Sequence, residues 1–312
     1  MKIYYNLDHV SISNSAITVG TFDGLHLGHQ YLIKELVRRA KIKGLESVVF
    51  TFDPYPQEVF APKGLKASIL STTPEKIDIL RSLGVDHVVV YPFSLSFAQL
   101  SASSFIQSIL VEKLSLRYLL LGYDHRFGKD QVDDMSTLEV YGRQFGFELD
   151  RLDQKRVSTY DLSSSLIRQK IMDGDLTHMT DLLGRYYSIT GVVVEGKQIG
   201  RQIHFPTANV RINDVRKLIP KIGVYAIRVL WSGDIYHGML NIGIRPTLEE
   251  KDPKATIEAH IFDFHEDIYQ ENITIEFVSR VRDEKKFDSL ENLMEQLKQD
   301  EGVCRLILSG KE

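Results

Sequence analysis

The 312-residue sequence has only one cysteine, Cys304, and therefore forms neither an intramolecular disulfide nor a thiolate metal site. No run approaches the ~18 apolar residues of a membrane-spanning helix, and the opening segment MKIYYNLDHV lacks the apolar core of a signal peptide. No long basic block occurs, and the formal net charge is −4. These absences predict a cytoplasmic protein that uses neither a nucleic acid nor a membrane as a partner.

Two domains are predicted from the length of the chain and from a change of pattern along it. A single core stops growing near ~250–300 residues. In the first half, short apolar runs alternate with amphipathic stretches, which is typical of a doubly wound parallel sheet with helices on both faces. The predicted strands are Ala16–Gly20, Ser47–Phe52, His87–Tyr91, Arg117–Gly122 and Phe147–Leu152, and the predicted helices are Leu27–Lys43, Thr73–Leu83, Ser103–Leu114 and Asp134–Phe145.

The pattern changes after Gly184. Runs that alternate apolar and polar residues, separated by turn residues, predict antiparallel strands with one face toward solvent. One long helix is predicted near the end, over Ser289–Gln299. We therefore expect an α/β domain with a Rossmann-like parallel sheet in residues 1–183, followed in residues 184–312 by a small antiparallel β-barrel with a C-terminal helix.

The segment GTFDGLHLGH, from Gly20 to His29, follows an apolar strand and opens a helix. Ligands of open parallel sheets bind at the carboxyl ends of strands, beside helix N-termini whose N–H groups suit a phosphate. Gly24 and Gly28 allow the backbone to approach a ligand. His26 and His29 can bind phosphate oxygens and stabilise the charge of a leaving group. The segment therefore predicts a catalytic phosphate-binding turn.

This segment resembles the variant His-x-Gly-His signature of the nucleotidylyltransferase domain in bacterial bifunctional riboflavin kinase/FAD synthetases. The resemblance implies that the N-terminal domain transfers AMP from ATP to FMN and releases pyrophosphate. It implies that His26 and His29 contact the phosphates of ATP, and it assigns Gly20, Phe22 and the glycines named above to the ATP site.

Other strings in the first half resemble the same family. LSSSLIR, Leu162–Arg168, is similar to a Ser-Ser-Thr-x-Ile-Arg motif. The hydroxyls of Ser163, Ser164 and Ser165 would cap a helix and bind phosphate. Arg168 would clamp the phosphates as charge moves to pyrophosphate.

The flavin side of this domain departs from the family at two positions. Tyr55 stands between two prolines where the family usually has histidine, and His125 replaces a phenylalanine in the loop GYDHRFG. The resemblance assigns Asp53, Tyr55, Asp124 and Phe127 to flavin binding. For Asp53, Mg²⁺ binding and a plain Asx-turn remain open as alternatives.

In the second half, GKQIGRQIHFPTANV resembles the glycine-rich segment of flavokinases that ends in Pro-Thr-Ala-Asn, with His204 in place of a glycine. A Walker-type GxxxxGK[ST] segment is absent, so this would be a different phosphate cradle. Glycines such as Gly200 let backbone N–H groups approach phosphates. Thr207 and Asn209 are the implied ligands of Mg²⁺ bound with ATP.

The string IEAHIFDF carries Glu258, which the resemblance identifies as the general base that deprotonates the 5′-hydroxyl of riboflavin. On an alternating strand, Glu258 and His260 share one face. Asp263 and His265 are alternative bases. The resemblance further assigns Arg282 and Phe287 to the border of the flavin site.

Together these motifs imply an ATP- and Mg²⁺-dependent transferase that phosphorylates riboflavin to FMN and adenylylates FMN to FAD. The ligands would be riboflavin, FMN, FAD and ATP. Two alternatives stay open at this point: an enzyme that retains only one activity, FAD synthesis, or a regulator that binds flavin or nucleotide without turnover.

Overall fold

The computed structural model describes residues 1–62, 68–122, 126–152, 162–196, 205–244 and 255–310. The chain divides into two compact units, Met1–Ser164 and Ser165–Glu312. The boundary at residue 183, predicted from the change of pattern, stays a prediction.

Parallel strands form a six-stranded sheet in the N-terminal unit. The strands are β1 (Lys2–Tyr4), β2 (Ser15–Val19), β3 (Glu46–Phe52), β4 (His87–Tyr91), β5 (Leu116–Leu121) and β6 (Glu148–Arg151). Their order in the sheet is β1-β4-β3-β2-β5-β6. The chain therefore winds in one direction from β2 to β4 and in the other from β5 to β6, which opens a crevice at the carboxyl ends of β2 and β5.

Helices cover both faces of this sheet because its strands are apolar on both sides. Ala16 packs into the hydrophobic core of one face, and Ile17 packs into the core of the other. The predicted doubly wound fold is confirmed. The helices are α1 (Leu27–Lys43), α2 (Pro56–Phe60), α3 (Thr73–Ser82), α4 (Ala102–Phe105), which continues as a π-helical turn over Ile106–Val111, and α5 (Met135–Phe145).

The C-terminal unit contains a closed antiparallel barrel, as predicted. It is preceded by α6 (Ser164–Asp173) and α7 (Met179–Leu183). The strands are β7 (Tyr187–Val194), β8 (Ala208–Ile212), β9 (Gly223–Trp231), β10 (Asp234–Ile244), β11 (Ala255–Ile261) and β12 (Asn272–Arg282). They close in the order β10-β11-β8-β7-β12-β9. Burial alternates strictly along β7, so every second side chain fills the barrel interior.

The terminal helix α8 (Leu290–Ser309) packs on the barrel and is longer than predicted. The predicted end at Gln299 was wrong. Gly302 weakens a helix by about 1 kcal/mol relative to alanine, but the apolar stripe continues through Cys304 and Leu308, which are both buried. Burial of those side chains outweighs the local propensity of the glycine. Within the described part of the chain, no helix is long and apolar enough to span a bilayer.

Candidate active sites

The turn between β2 and α1 is buried and conformationally strained. Phe22 and Leu25 have φ angles of 49° and 41°, in the left-handed region, and Gly24 between them has a φ of 77°. A non-glycine residue in this region costs about 1–2 kcal/mol. Strain of this kind persists only where surrounding contacts hold it, and it clusters at functional sites.

Hydrogen bonds from several elements hold this turn. The Asp23 carboxylate accepts from the backbone N–H groups of Leu70 at 2.8 Å and Ser71 at 3.2 Å. The Ser164 hydroxyl donates to the Asp23 carbonyl at 2.8 Å, and the Gln30 amide donates to the Leu25 carbonyl at 2.8 Å. The predicted phosphate-site residue Ser164 thus tethers the turn itself.

A buried lysine contacts the same turn from α3. The Lys76 ammonium donates to the Thr21 carbonyl at 2.7 Å and to the Thr51 hydroxyl at 2.9 Å. It also lies 4.4 Å from the centre of the Tyr55 ring. Lys76 therefore joins α3, the end of β3 and the turn.

The two predicted histidines lie side by side at the start of α1. The Nδ1 atom of His26 accepts the backbone N–H of His29 and so caps the helix. This bond leaves the proton of a neutral His26 ring on Nε2. The two rings stack with centroids 3.6 Å apart, and the Phe22 ring forms a T-shaped contact with the His29 ring. The histidines are thus held as one pair.

Burial is the main reason that the pKa of His29 lies well below its usual value, and the charges of His26 and Lys76 lower it further. The Nδ1 atom of His29 is buried and has no hydrogen-bond partner among the described residues. An unpaired buried polar atom costs about 1–3 kcal/mol. A phosphate ligand would offset this cost and favour the protonated ring.

The small residues of this turn make room for its own side chains. A Cβ on Gly28 would lie 3.1 Å from the His26 imidazole, and one on Gly20 would lie 2.9 Å from the Phe22 ring. A Cβ on Gly24 would lie 2.9 Å from Leu70. A side chain at these positions would crowd Phe22, His26 or Leu70, and at Gly24 the positive φ also favours glycine.

Ser163 precedes α6, and Ser165 and Arg168 lie within its first turns. Ser165 is exposed and Arg168 is half-buried. Their predicted part in binding the phosphates stays a prediction.

The residues predicted for the flavin side of the N-terminal unit have protein partners. The Asp53 carboxylate accepts from the Thr73 hydroxyl at 2.5 Å. Tyr55 is buried and donates to the Ser71 carbonyl at 3.1 Å. Burial, with the neighbouring carboxylates, raises the pKa of Tyr55 well above its usual value. Phe127 is buried against Phe105. Asp124 and His125 lie outside the described residues.

Strand register aligns the predicted kinase residues. Glu258 on β11 lies directly opposite Asn209 on β8 and directly opposite Asn241 on β10. Residues opposite one another in an antiparallel pair project to the same face, with Cβ atoms about 4.5–5.5 Å apart. Glu258 is therefore the middle of a polar row across three strands. Its face also carries His260, as predicted, since Ile257 and Ala259 point into the barrel.

Neighbouring residues fix the Pro-Thr-Ala-Asn segment. The Nδ1–H of His260 donates to the Pro206 carbonyl at 2.7 Å. A Cβ on Gly196 would lie 2.1 Å from the Asn209 amide, so a side chain there would displace that amide. A pocket opens beside Thr207 and is lined also by Ala259, Phe264 and Tyr269. Gly200 and His204 lie outside the described residues.

The other residues predicted for the barrel have distinct surroundings. Arg305 binds the Asp263 carboxylate through two bonds of 2.8 and 3.0 Å, and this holds the pKa of Asp263 below its usual value. Arg282 binds Asp300 on α8, and its guanidinium lies 6.0 Å from the Phe287 ring.

Sequence reasoning did not identify two residues of these sites. Lys76 shares one buried helix face with Thr73, Ile77 and Leu80. The sequence signal for Lys76 is a lysine at a position where the apolar stripe of α3 predicts a hydrophobic residue. Asn241 lies in the string NIGIRPT, and only the strand register, which is not visible in one sequence, brings it opposite Glu258.

Comparisons with known proteins match a different family model to each half of the chain. A family model described as FAD synthetase matches residues 9–166, and one described as riboflavin kinase matches residues 183–308. The chain is 38% identical over 301 residues to the bifunctional riboflavin kinase/FMN adenylyltransferase of Listeria monocytogenes, covering 96% of this chain and 94% of that protein. Its counterpart in Haemophilus influenzae is 36% identical over 290 residues, covering 93% and 92%.

A crystal structure from Streptococcus pneumoniae, titled a macrolide-efflux protein, shares the fold of both units. Its TM-score is 0.88 at 31% sequence identity, with 97% of this chain and 98% of that chain covered. The efflux title refers to that protein alone. Both family models match here in sequence order and the full-length relatives carry both activities in their names, so the chain is a transferase that belongs to the family of bifunctional riboflavin kinase/FMN adenylyltransferases.

Proposed function

We propose that each domain carries out one step of flavin conversion at the residues described above. The riboflavin kinase domain converts riboflavin to FMN, and the FAD synthetase domain converts FMN to FAD. The observation that carries this proposal is that each domain holds its own ordered polar cluster: the stacked His26 and His29 in one, and the row of Asn209, Glu258 and Asn241 in the other.

In adenylyl transfer, a phosphate oxygen of FMN attacks the α-phosphorus of ATP, the bond to the bridging oxygen breaks, and pyrophosphate leaves. Phosphate is already a nucleophile, so positioning and charge stabilisation supply most of the acceleration. The first N–H groups of α1 have no intrahelical acceptor and point toward this ligand. His26, His29 and Arg168 bind the phosphates, and Ser163 and Ser165 add hydroxyl donors.

In the kinase step, the 5′-hydroxyl of riboflavin attacks the γ-phosphorus of ATP while Glu258 accepts its proton, and ADP leaves. Glu258 is favoured over Asp263 because the Arg305 guanidinium lowers the pKa of Asp263 and occupies its oxygens. His265 lines the pocket but lies outside the polar row. The pocket beside Thr207 takes the nucleotide of ATP.

Mg²⁺ fits the donors of the barrel. Mg²⁺ is usually held by one or two protein oxygens together with substrate phosphates. The hydroxyl of Thr207 and the amide oxygen of Asn209 match this requirement, and the described residues contain no cluster of three acidic, histidine or cysteine ligands that would form a cage of its own. When bound, Mg²⁺ neutralises charge on the transferred phosphoryl group.

We further propose that Asp53, Tyr55 and Phe127 border the flavin in the FAD synthetase domain, and that Arg282 and Phe287 border it in the kinase domain. Asp53 and Tyr55 already have protein partners, so they would shape this site and orient its ligand through those contacts. We propose a cytoplasmic location for both reactions.

Two single substitutions, one in each domain, test whether each domain catalyses one of the two reactions. Glu258→Gln removes the base and should lower FMN formation by about 10²–10⁴-fold while FAD formation from FMN is unchanged. Glu276→Gln is a matched control, because Glu276 is another half-buried glutamate of the barrel and lies on β12. Loss of both activities in the Glu258 variant would contradict separate sites.

The converse test is His29→Ala. It should lower FAD formation from FMN by about 10²–10³-fold if His29 stabilises the charge of the transition state, and FMN formation should be unchanged. His9→Ala, at an exposed histidine of the same domain, is the control. Unchanged FAD formation in the His29 variant would exclude this role.

A further inference from the structure

Lys76 occupies a position in the fold where an apolar residue is expected. It lies on the face of α3 that packs against the sheet, and only 1% of its surface is exposed. Lysine is almost never fully buried unless its charge is paired or hydrogen-bonded. A methionine or leucine would fill the same space without the cost of removing an ammonium group from water. The cation therefore requires an explanation other than packing.

The Lys76 ammonium, the Thr51 hydroxyl and the Thr21 carbonyl form a triangle of hydrogen bonds. It donates to the Thr21 carbonyl at 2.7 Å and to the Thr51 hydroxyl at 2.9 Å, and the Thr51 hydroxyl donates to the same carbonyl at 3.1 Å. Both lone pairs of the Thr21 carbonyl are thereby occupied. The peptide plane that enters the strained turn is fixed by these bonds.

The Thr21 carbonyl is connected to the histidine pair through the next residue of the chain. Thr21 immediately precedes Phe22, whose backbone is left-handed and whose ring forms a T-shaped contact with the ring of His29, with centroids 5.3 Å apart. The ammonium is also close enough to His29 to lower the pKa of that ring, after burial and His26. Lys76 thus acts on His29 along two routes, through the backbone of the turn and through its charge.

Other buried polar groups lie close to the Lys76 ammonium. The buried Asp23 carboxylate lies within the same turn, and Tyr55 lies over the ammonium at 4.4 Å.

We propose that Lys76 is a positioning residue for adenylyl transfer, which holds the Thr21 carbonyl and thereby sets His29 against the phosphates without touching the nucleotide. This inference rests on the proposed function of the FAD synthetase domain. It predicts that the charge and the hydrogen bonds of Lys76 matter for turnover, beyond the volume that the side chain fills.

The test replaces Lys76 with the neutral side chain of similar length, Lys76→Met. We expect kcat for FAD formation from FMN to fall about 10–100-fold, the scale of a misplaced catalytic group, with KM for FMN changed far less. Riboflavin phosphorylation by the same chain should be unchanged, which reports that the kinase domain is intact. Lys217→Met is the matched control, because Lys217 is also buried beside a tyrosine ring but lies in the barrel.

A second readout does not depend on activity. In Lys76→Met the pKa of His29, followed by NMR titration of its ring proton, should rise, because a repelling cation has been removed. A lysine whose charge does not reach His29 would leave this pKa where it was. An unchanged kcat or an unchanged His29 pKa in Lys76→Met would overturn the proposal.

A pair of milder variants covers the case in which Lys76→Met does not fold. Thr51→Val keeps the shape of the side chain but removes one of the two acceptors of the Lys76 ammonium, whereas Thr51→Ser keeps the hydroxyl. FAD formation should fall in Thr51→Val and stay near wild type in Thr51→Ser, and equal rates in the two variants would overturn the proposal. A wild-type chain that makes no FAD from FMN would instead refute the proposed function itself.

Discussion

Two ion pairs attach the terminal helix α8 to the barrel, and they differ in burial. Arg282 on β12 binds Asp300 through bonds of 2.6 to 3.0 Å, with 15% and 3% of the two side chains exposed. Arg305 binds Asp263 at similar distances, but 43% and 78% of those side chains are exposed. The two arginine–aspartate pairs therefore have similar geometry but differ in their exposure to solvent.

Removal of Asp300 should be far more costly than removal of Asp263. Asp300→Ala leaves a nearly buried guanidinium without its carboxylate, which costs about 3–5 kcal/mol. It also removes the acceptor of a bond from Gln296. Asp263→Ala breaks a solvent-exposed pair, and pairs of this kind contribute little to stability.

Trp231 makes this difference measurable for the barrel alone. It is the only tryptophan of the chain and lies at the end of β9, so its fluorescence reports unfolding of the barrel rather than of the parallel sheet. With a urea dependence of about 2 kcal/mol per molar, the midpoint of Asp300→Ala should fall by about 1.5–2.5 M, and that of Asp263→Ala by less than about 0.5 M. Equal midpoints for the two variants would refute the reasoning from burial.

Three further outcomes are expected. Burial holds the pKa of His29 well below 6.5, so below that pH the unfolded chain takes up a proton that the folded chain does not. The free energy of unfolding should therefore decline as pH falls below 6.5. Unfolding followed by circular dichroism should show a smaller decline in His29→Gln. ADP should change the fluorescence of Trp231, because its ring contacts Phe264 in the wall of the pocket beside Thr207, which we propose as the nucleotide site; an unchanged spectrum at saturating ADP would place the nucleotide elsewhere. Gly28→Ala, whose Cβ would lie 3.1 Å from the His26 ring, should displace the helix cap and lower FAD formation several-fold but spare FMN formation, as chromatography of the flavins would show.

Local patterns of apolar and polar residues predicted most of the fold, because the burial of one or both faces of an element determines its pattern. The five predicted strands of the parallel sheet and helix α1 form close to their expected bounds. The edge strand β1 was missed, since three residues with one face partly exposed carry little pattern. Strand β8 was also missed: the segment around Asn209 was interpreted only as a ligand loop, yet its pairing with β7 and β11 closes the barrel.

The candidate sites were predictable only in part, for a different physical reason. His26 and His29 were identified because a strand, a glycine-rich turn and a helix start are adjacent in sequence. The bonds that hold them come from distant segments, such as Leu70 to Asp23 and Ser164 to the same residue. No local pattern encodes such contacts. Lys76 reaches the turn across 55 residues of sequence.

The central claim is that one chain carries both flavin-converting activities at two separate sites. Incubation with ATP and Mg²⁺, followed by chromatographic separation of the flavins, tests it most directly, with one sample started from riboflavin and a second from FMN. The account predicts FAD in both samples for the wild-type chain, and for Glu258→Gln it predicts FAD from FMN only. Absence of any conversion by the wild-type chain, or loss of FAD formation from FMN in Glu258→Gln, would contradict it.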